Sequence, residues 1–287
     1  MISPVVSVII PTFNRCEWVR EAVNSVLAQT FQAVEVIVVD DGSTDKTYDM
    51  LMTCGNSIKV IRQSNRGVSA ARNQGIVHST GQYIALLDSD DLWLPRKLEI
   101  QVDFFLTNPE ALICQTDEIW IRNGVRVNPG KRHQKPSGMI FESSLALCLV
   151  SPSAVMMNRS LFDRVGLFNE SFPACEDYDM WLRIGCRYPI HLIPDKLVIK
   201  RGGHVDQLSR LPLLDSYRIQ SIRDIMNSGH LDPVQYRAAA SMLIQKCRIY
   251  ADGCQKRGRL EEAVFYYNLI ELAGMGVDQH AAFPEEI

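Results

Sequence analysis

Tyr83-Ile84-Ala85-Leu86-Leu87-Asp88-Ser89-Asp90-Asp91 decides how the chain is read, because an uncharged apolar run ends there in three carboxylates. Such a run predicts a strand covered on both faces. Similar runs precede it at residues 5–10, between Pro4 and Pro11, at 34–39 and, more briefly, at 58–61. The stretches between them have helical spacing. Val19, Ala22, Val23, Val26 and Leu27 recur at i, i+3, i+4, i+7 and i+8 in a helix predicted over residues 18–30. A second helix is predicted over 67–78, and Leu98, Val102 and Phe105 form the buried stripe of a third. Alternating strand and helix implies parallel strands joined by right-handed crossovers, hence a doubly wound α/β sheet. Such sheets bind ligands beyond the carboxyl ends of their strands. Asp40 and Asp41, which end the second strand, should then share one sheet edge with Asp88 and Asp90.

The later sequence is less regular. Residues 111–115 read as a strand, and 119–127 as a hairpin around Asn123-Gly124. A further strand is expected at 154–157, a helix over 178–187, and an extended segment over 190–199 interrupted by Pro194. After Ser209 the pattern becomes helical throughout. Helices over 235–253 and 259–273 meet around Lys256-Arg257-Gly258-Arg259, and their texture resembles one tetratricopeptide-type hairpin. A single repeat of that kind is not a stable array. It should pack on the rest of the chain or on a partner. The expected division is therefore a domain at 1–208 and a helical C-terminal extension at 209–287.

Composition excludes several classes. With 287 residues, 46% hydrophobic and 22% charged, the chain reads as an ordinary globular protein. A net charge of −3 argues against nucleic acid as a partner. No apolar run approaches the roughly 20 residues that span a bilayer. The eight cysteines include no Cys-x-x-Cys pair, so reduced thiols and a cytoplasmic address are expected.

The chemistry lies in the acidic strand ends. In an extended segment, residues i and i+2 point the same way, so Asp88 and Asp90 are expected to converge. Convergent carboxylates repel unless a cation or a shared proton lies between them. Hard oxygen ligands favour Mg²⁺ or Mn²⁺, ions that also take phosphate oxygens. The competing reading is an acidic turn that caps a helix near Leu92; the position at a strand end favours the metal site. In Asp40-Asp41-Gly42-Ser43-Thr44-Asp45, helix capping accounts for Ser43 or Thr44. It leaves Asp41 free to accept hydrogen bonds from a nucleobase imide or a ribose hydroxyl.

Five motifs in order make a more specific case: Val6-Ser7-Val8-Ile9-Ile10-Pro11-Thr12-Phe13-Asn14-Arg15, Val38-Val39-Asp40-Asp41-Gly42-Ser43-Thr44-Asp45, Gly67-Val68-Ser69-Ala70-Ala71-Arg72-Asn73, Tyr83 through Asp91, and Glu176-Asp177-Tyr178-Asp179-Met180-Trp181-Leu182-Arg183. In this order and spacing, over residues 5–209, the chain resembles a family 2 glycosyltransferase of the GT-A fold. The resemblance implies an inverting, non-processive enzyme on a doubly wound mixed sheet. It implies a nucleotide-sugar donor, with a UDP-sugar expected first, and a sugar, lipid-linked or other hydroxyl acceptor. Pro11, Thr12 and Asp41 would line the base and ribose pocket, and Arg72 would stand near the base or phosphates. Asp90 would bind the metal, Asp88 would touch ribose, and Asp177 would be the catalytic base. His204, within Gly202-Gly203-His204-Val205-Asp206-Gln207-Leu208-Ser209, resembles a late histidine that approaches metal or diphosphate.

Each role has a plainer rival. Arg72 on its own reads as an exposed helical arginine paired with a neighbour. Glu176 and Asp177 alone read as favourable charges at a helix N-terminus. The basic stretch Lys131-Arg132-His133-Gln134-Lys135 reads as a solvated loop, with an anionic acceptor or a membrane surface as its functional alternative. The absence of a Gln-x-x-Arg-Trp motif favours transfer of a single sugar. Peripheral contact with the inner face of a membrane and self-association through the C-terminal helices complete the expectations. An Asp-x-Asp phosphatase, which needs its pair after the first strand, and a non-catalytic nucleotide-sugar or partner-binding module are the alternative classes.

Overall fold

The computed structural model describes residues 4–204, 207 and 213–281. Four parallel strands begin the fold: β1 (Val6–Thr12), β2 (Val34–Asp40), β3 (Lys59–Arg62) and β4 (Tyr83–Leu86). Between them run α1 (Cys16–Leu27), α2 (Thr47–Met52) and α3 (Val68–Val77). The short β5 (Leu92–Trp93) and α4 (Lys97–Thr107) follow. Alternation along β1 sorts the two faces of the sheet. Val6, Val8 and Ile10 pack with the buried stripes of α1 and α4, whereas Ile9 packs on the opposite face with Ile76 of α3. There α3 comes so close that a Cβ on Gly75 would lie 2.3 Å from Ile9 Cγ2.

The second half makes the sheet mixed. Its strands are β6 (Ile113–Arg122), β7 (Val125–Val127), β8 (Val155–Asn158) and β9 (His191–Gly202), and its helices are α5 (Phe141–Ala146), α6 (Ser160–Val165) and α7 (Glu176–Gly185). Among the described residues the order is β3-β2-β1-β4-β8-β6-β9-β5, with β7 paired to β6. β8 runs antiparallel to both β4 and β6, so β6 points the same way as β4. β6 pairs with β8 only at Ile113, Cys114 and Gln115, then continues with β9 and β7 alone. At about 3.3 Å per residue, roughly 20 Å of strand projects past the carboxyl edge as a flap.

Two expectations fail here. Residues 111–115 and 119–127 were expected as separate units, but β6 is one strand, because the polar Asp117-Glu118 step is absorbed by a register shift against β9. Pro194 does not break β9: Ile193 faces Thr116 and Lys196 faces Asp117, so Pro194 and Asp195 bulge out of the ladder. The hairpin holds, with Asn123 and Gly124 at φ 48° and 77°, as a two-residue turn with both central residues left-handed requires.

Three C-terminal helices, α8 (Leu214–Asn227), α9 (Pro233–Lys256) and α10 (Leu260–Ala281), complete the described chain. Asp232 starts α9 with a capping box: its side chain accepts from Val234 N and Gln235 N, and the Gln235 side chain accepts from Asp232 N. These helices share a core with α5 and α7, in which Phe141, Tyr178 and Leu182 pack against Ile222, Leu243 and Cys247. No helix among the described residues is long and apolar enough to cross a membrane.

Candidate active site

The parallel register of β1 with β2 and β4 brings Thr12, Asp40 and the residues after Leu86 to one edge. Asp41 follows β2, and its N–H donates to Thr12 O at 2.9 Å. Its carboxylate is pinned: Oδ1 accepts from Gln63 Nε2 (2.7 Å) and Arg66 N (2.9 Å), and Oδ2 accepts from Gly67 N (2.8 Å). Gly42 makes this turn feasible, at φ 82° and with Asn65 N only 2.9 Å from where a Cβ would sit. Thr12 Oγ1 and Arg72 Nε are buried with no hydrogen-bond partner among the described residues. Buried polar atoms of that kind ordinarily have a partner, and both residues line the same cleft.

The segment after β4 is a turn rather than extended, since Asp91 N donates to Asp88 O at 3.0 Å. Convergence survives by a different route, with Asp91 included. Ligand oxygens of Asp88, Asp90 and Asp91 all lie within 4.8 Å of one another. Ser153 Oγ (2.6 Å) and Arg201 N (2.9 Å) donate to Asp91. Burial and the Asp90 carboxylate push Asp91 well above the ordinary carboxylate range, with Lys200 opposing. Asp90 Oδ2 meets Arg15 Nη1 at 3.0 Å and His204 Nε2 at 2.7 Å. Crowded, all-oxygen donors fit a hard divalent ion such as Mg²⁺ or Mn²⁺, which would relieve the repulsion. His204 reaches Asp90 but stands outside this group; Val205, Asp206, Leu208 and Ser209 of its segment lie outside the described residues.

Arg72 is 2% exposed, so the reading of an exposed helical arginine fails. It donates to Asp88 Oδ1 at 2.7 Å and to Glu176 Oε1 at 2.6 Å, joining the carboxylate turn to the start of α7. Burial works against its charge, but Asp88 and Glu176 outweigh that and keep it cationic. Burial and the adjacent Asp177, against Arg72, push Glu176 up to about 7. Asp177 is half-buried; Tyr178 N donates to its Oδ1 at 2.7 Å, and the Cys148 thiol lies 3.5 Å from its Oδ2. Burial and Asp177 raise the Cys148 pKa, so this sulfur stays protonated beside the carboxylate. Trp181 and Ile184 anchor α7 in the core beneath, as their helical spacing predicts.

The flap forms the remaining wall. Lys135 pairs with Glu118 at 3.1 Å, Lys200 Nζ donates to Ser151 Oγ at 3.1 Å, and the His133 ring lies 5.2 Å from that of Trp120. The basic stretch is therefore not simply a solvated loop: Lys135 is a buried ion-pair partner, while Lys131 and Arg132 remain exposed. Asp91, Glu118, Cys148 and Lys200 were given no role from sequence, and Lys135 was named only within the basic stretch. Asp91 had a local signal, being adjacent to Asp90; the others depend on pairings remote in sequence.

One cleft of about 600 Å³ is lined by Pro11, Thr12, Asp41, Arg72, Asp88, Asp90 and Asp177, together with the flap residues. Of the residues to which the family resemblance gives a role in donor, metal or proton handling, His204 alone is not part of this lining.

A family model described as Glycosyl transferase family 2 matches residues 7–166. An uncharacterised glycosyltransferase of Rickettsia typhi is 34% identical over 219 residues, covering 74% of this chain and 68% of the relative. A counterpart in Rickettsia conorii is 34% identical over 216 residues, covering 71% of this chain but 35% of its own length. The chain thus spans about a third of the longer curated relatives it matches. The Escherichia coli enzyme named UDP-Glc:alpha-D-GlcNAc-diphosphoundecaprenol beta-1,3-glucosyltransferase WfgD is 32% identical over 181 residues (62% of this chain, 69% of that one). Among solved structures, S. aureus TarS 1-349 in complex with UDP-GlcNAc superposes with a TM-score of 0.71 at 20% identity, over 92% of this chain and 79% of that chain. The mannosyltransferase PcManGT from Pyrobaculum calidifontis, in complex with GDP-Man and Mn²⁺, gives 0.58 at 17% identity, over 97% and 84%. The fold is that of the GT-A glycosyltransferases. The chain belongs to glycosyl transferase family 2.

Proposed function

We propose that this chain is an inverting glycosyltransferase that moves one sugar from a nucleoside-diphosphate sugar, a UDP-sugar first among them, to an acceptor hydroxyl. One observation carries the reading: Asp41, the three-carboxylate turn and Asp177 line the same cleft although they are far apart in sequence. Asp41 and Thr12 hold the nucleoside, and Asp88, Asp90 and Asp91 hold a divalent ion. That ion, when bound, supplies Lewis-acid neutralisation of the leaving diphosphate. Asp177 takes the acceptor's proton as its oxygen attacks the anomeric carbon, while the sugar–phosphate bond breaks and the nucleoside diphosphate leaves with the electron pair. Arg72 keeps Asp88 and Glu176 in register, so that metal turn and base helix move as one unit. Residues 1–208 form the transferase unit in this reading. Self-association uses α10, where Leu260, Val264, Phe265 and Leu272 are exposed, and sedimentation velocity would read it as a dimer.

The test is a panel of nucleotide sugars with Mn²⁺, read by nucleoside diphosphate release. Slow release from one donor, faster with an added hydroxyl acceptor and abolished by a chelator, is expected. No release from any donor, with no nucleotide binding by calorimetry, would refute the proposal.

A further inference from the structure

The flap formed by β6, β7 and β9 carries charge out of keeping with the rest of the molecule. Residues 119–135 hold five Lys and Arg (Arg122, Arg126, Lys131, Arg132 and Lys135) and no Asp or Glu, in a chain of net charge −3. Among the described residues only Lys135 of these five is paired with a carboxylate, Glu118, and it faces the cleft. Arg126, Lys131 and Arg132 are exposed, lie outside the cleft lining and form no ion pair with any described residue; Arg122, exposed at the hairpin tip, also borders the cleft. At the hairpin tip Val125 is 66% exposed, directly across the turn from Arg122. The segment is also braced: the backbone turns once at Lys131–His133, and Lys135 donates to Thr116 O at 3.0 Å. Because β6 runs parallel to β4, this surface overhangs the edge where the acceptor must enter.

We propose that the flap is a docking surface for an anionic lipid bilayer, and that it presents the cleft to an acceptor held at that bilayer. The proposal rests on the transferase reading, for it names where the acceptor is met. A cluster of fixed cations close to a surface of anionic headgroups gains attraction with each added charge, and the gain is screened by salt. An exposed aliphatic side chain among the cations suits the interface between headgroups and acyl chains. A soluble anionic polymer would match the charges but gives Val125 nothing apolar to enter. The bilayer is therefore favoured by charge and by the apolar tip together.

The experiment is co-sedimentation of the intact chain with vesicles of phosphatidylcholine alone or of phosphatidylcholine mixed with phosphatidylglycerol, whose anionic headgroups set a negative surface potential. Binding should be at least about tenfold stronger to the anionic vesicles and should weaken as salt rises. Replacing Arg126, Lys131 and Arg132 by Gln together should abolish the preference, and Val125→Ser should weaken binding severalfold by itself. Nucleoside diphosphate release from the donor without vesicles should be unchanged in both variants, which separates this idea from failure of the transferase reading. Equal binding to neutral vesicles, or full binding by the triple variant, would overturn it. So would binding to soluble polyglutamate as tight as to anionic vesicles and indifferent to Val125, which would assign the surface to a soluble polyanion.

Discussion

Two walls of the cleft bury a glutamate each, and the two glutamates are driven in opposite directions. On the α7 wall, burial and the neighbouring Asp177 push Glu176 up to about 7, even with Arg72 at 2.6 Å. On the flap wall, burial also acts to raise Glu118, but Lys200 and Lys135 outweigh it and bring it down to about 2. Residue type and depth are alike; the balance of nearby charges is not. One wall sets two carboxylates side by side, Glu176 and Asp177, and Glu176 holds on to its proton. The other is cation-rich and suits anions. Between them lie the crowded carboxylates of Asp88, Asp90 and Asp91, which on the proposed function hold a cation against the diphosphate.

The largest expected effect comes from cutting the tie between the α7 wall and the metal turn. Arg72→Met leaves Glu176 and Asp88 without their buried partner, and removal of one member of a buried pair costs about 3–5 kcal/mol. A thermal melt should show a drop of many degrees; an unchanged melting temperature would mean the bridge is incidental. Next, Asp90→Ala should weaken Mn²⁺-dependent nucleotide binding by at least about tenfold, a loss of the size seen when metal-site groups are removed. Metal titrations that superpose for variant and parent would remove Asp90 from the site.

Smaller, and sharper for the comparison, are two pH slopes of opposite sign. Glu118 is depressed from 4.5 to about 2, so its contribution to stability is complete above pH 4.5 and lost as pH falls toward 2. Glu176 is raised from 4.5 to about 7, so its contribution is complete below pH 4.5 and lost as pH rises through 7. The melting-temperature gap between parent and Glu118→Gln should therefore shrink in acid. The gap between parent and Glu176→Gln should shrink toward neutral pH. Gaps that move the same way would show that the two walls do not differ as described.

How much was legible in the sequence follows the same division. The N-terminal half was readable because each strand is a local apolar run stopped by Pro, Gly or Asp, and parallel crossovers bring the strand ends together. Sequence alone thus assigns Asp41, Asp88 and Asp90 to one edge. The flap half was not readable in this way. The polar residues of β6 look like a break in a strand until Lys135 is seen to pair with Glu118 and Lys200 to line the same wall. Pro194 looks like an end until the bulge shows how β9 passes it. Arg72 offers no local sign of burial, since its partners Asp88 and Glu176 lie 16 and 104 residues away. Even Asp88 and Asp90 converge through a turn, where an extended segment was expected.

On the proposed function the α7 wall serves the acceptor and the rest of the cleft serves the donor. Asp177→Asn tests it most directly, measured by transfer rate and by nucleotide affinity on the same sample. Transfer should fall by roughly 10²–10⁴-fold, the usual loss for a general base, while nucleotide and metal affinity stay within about twofold of the parent. Retained transfer, or loss of transfer and nucleotide binding together, would contradict it.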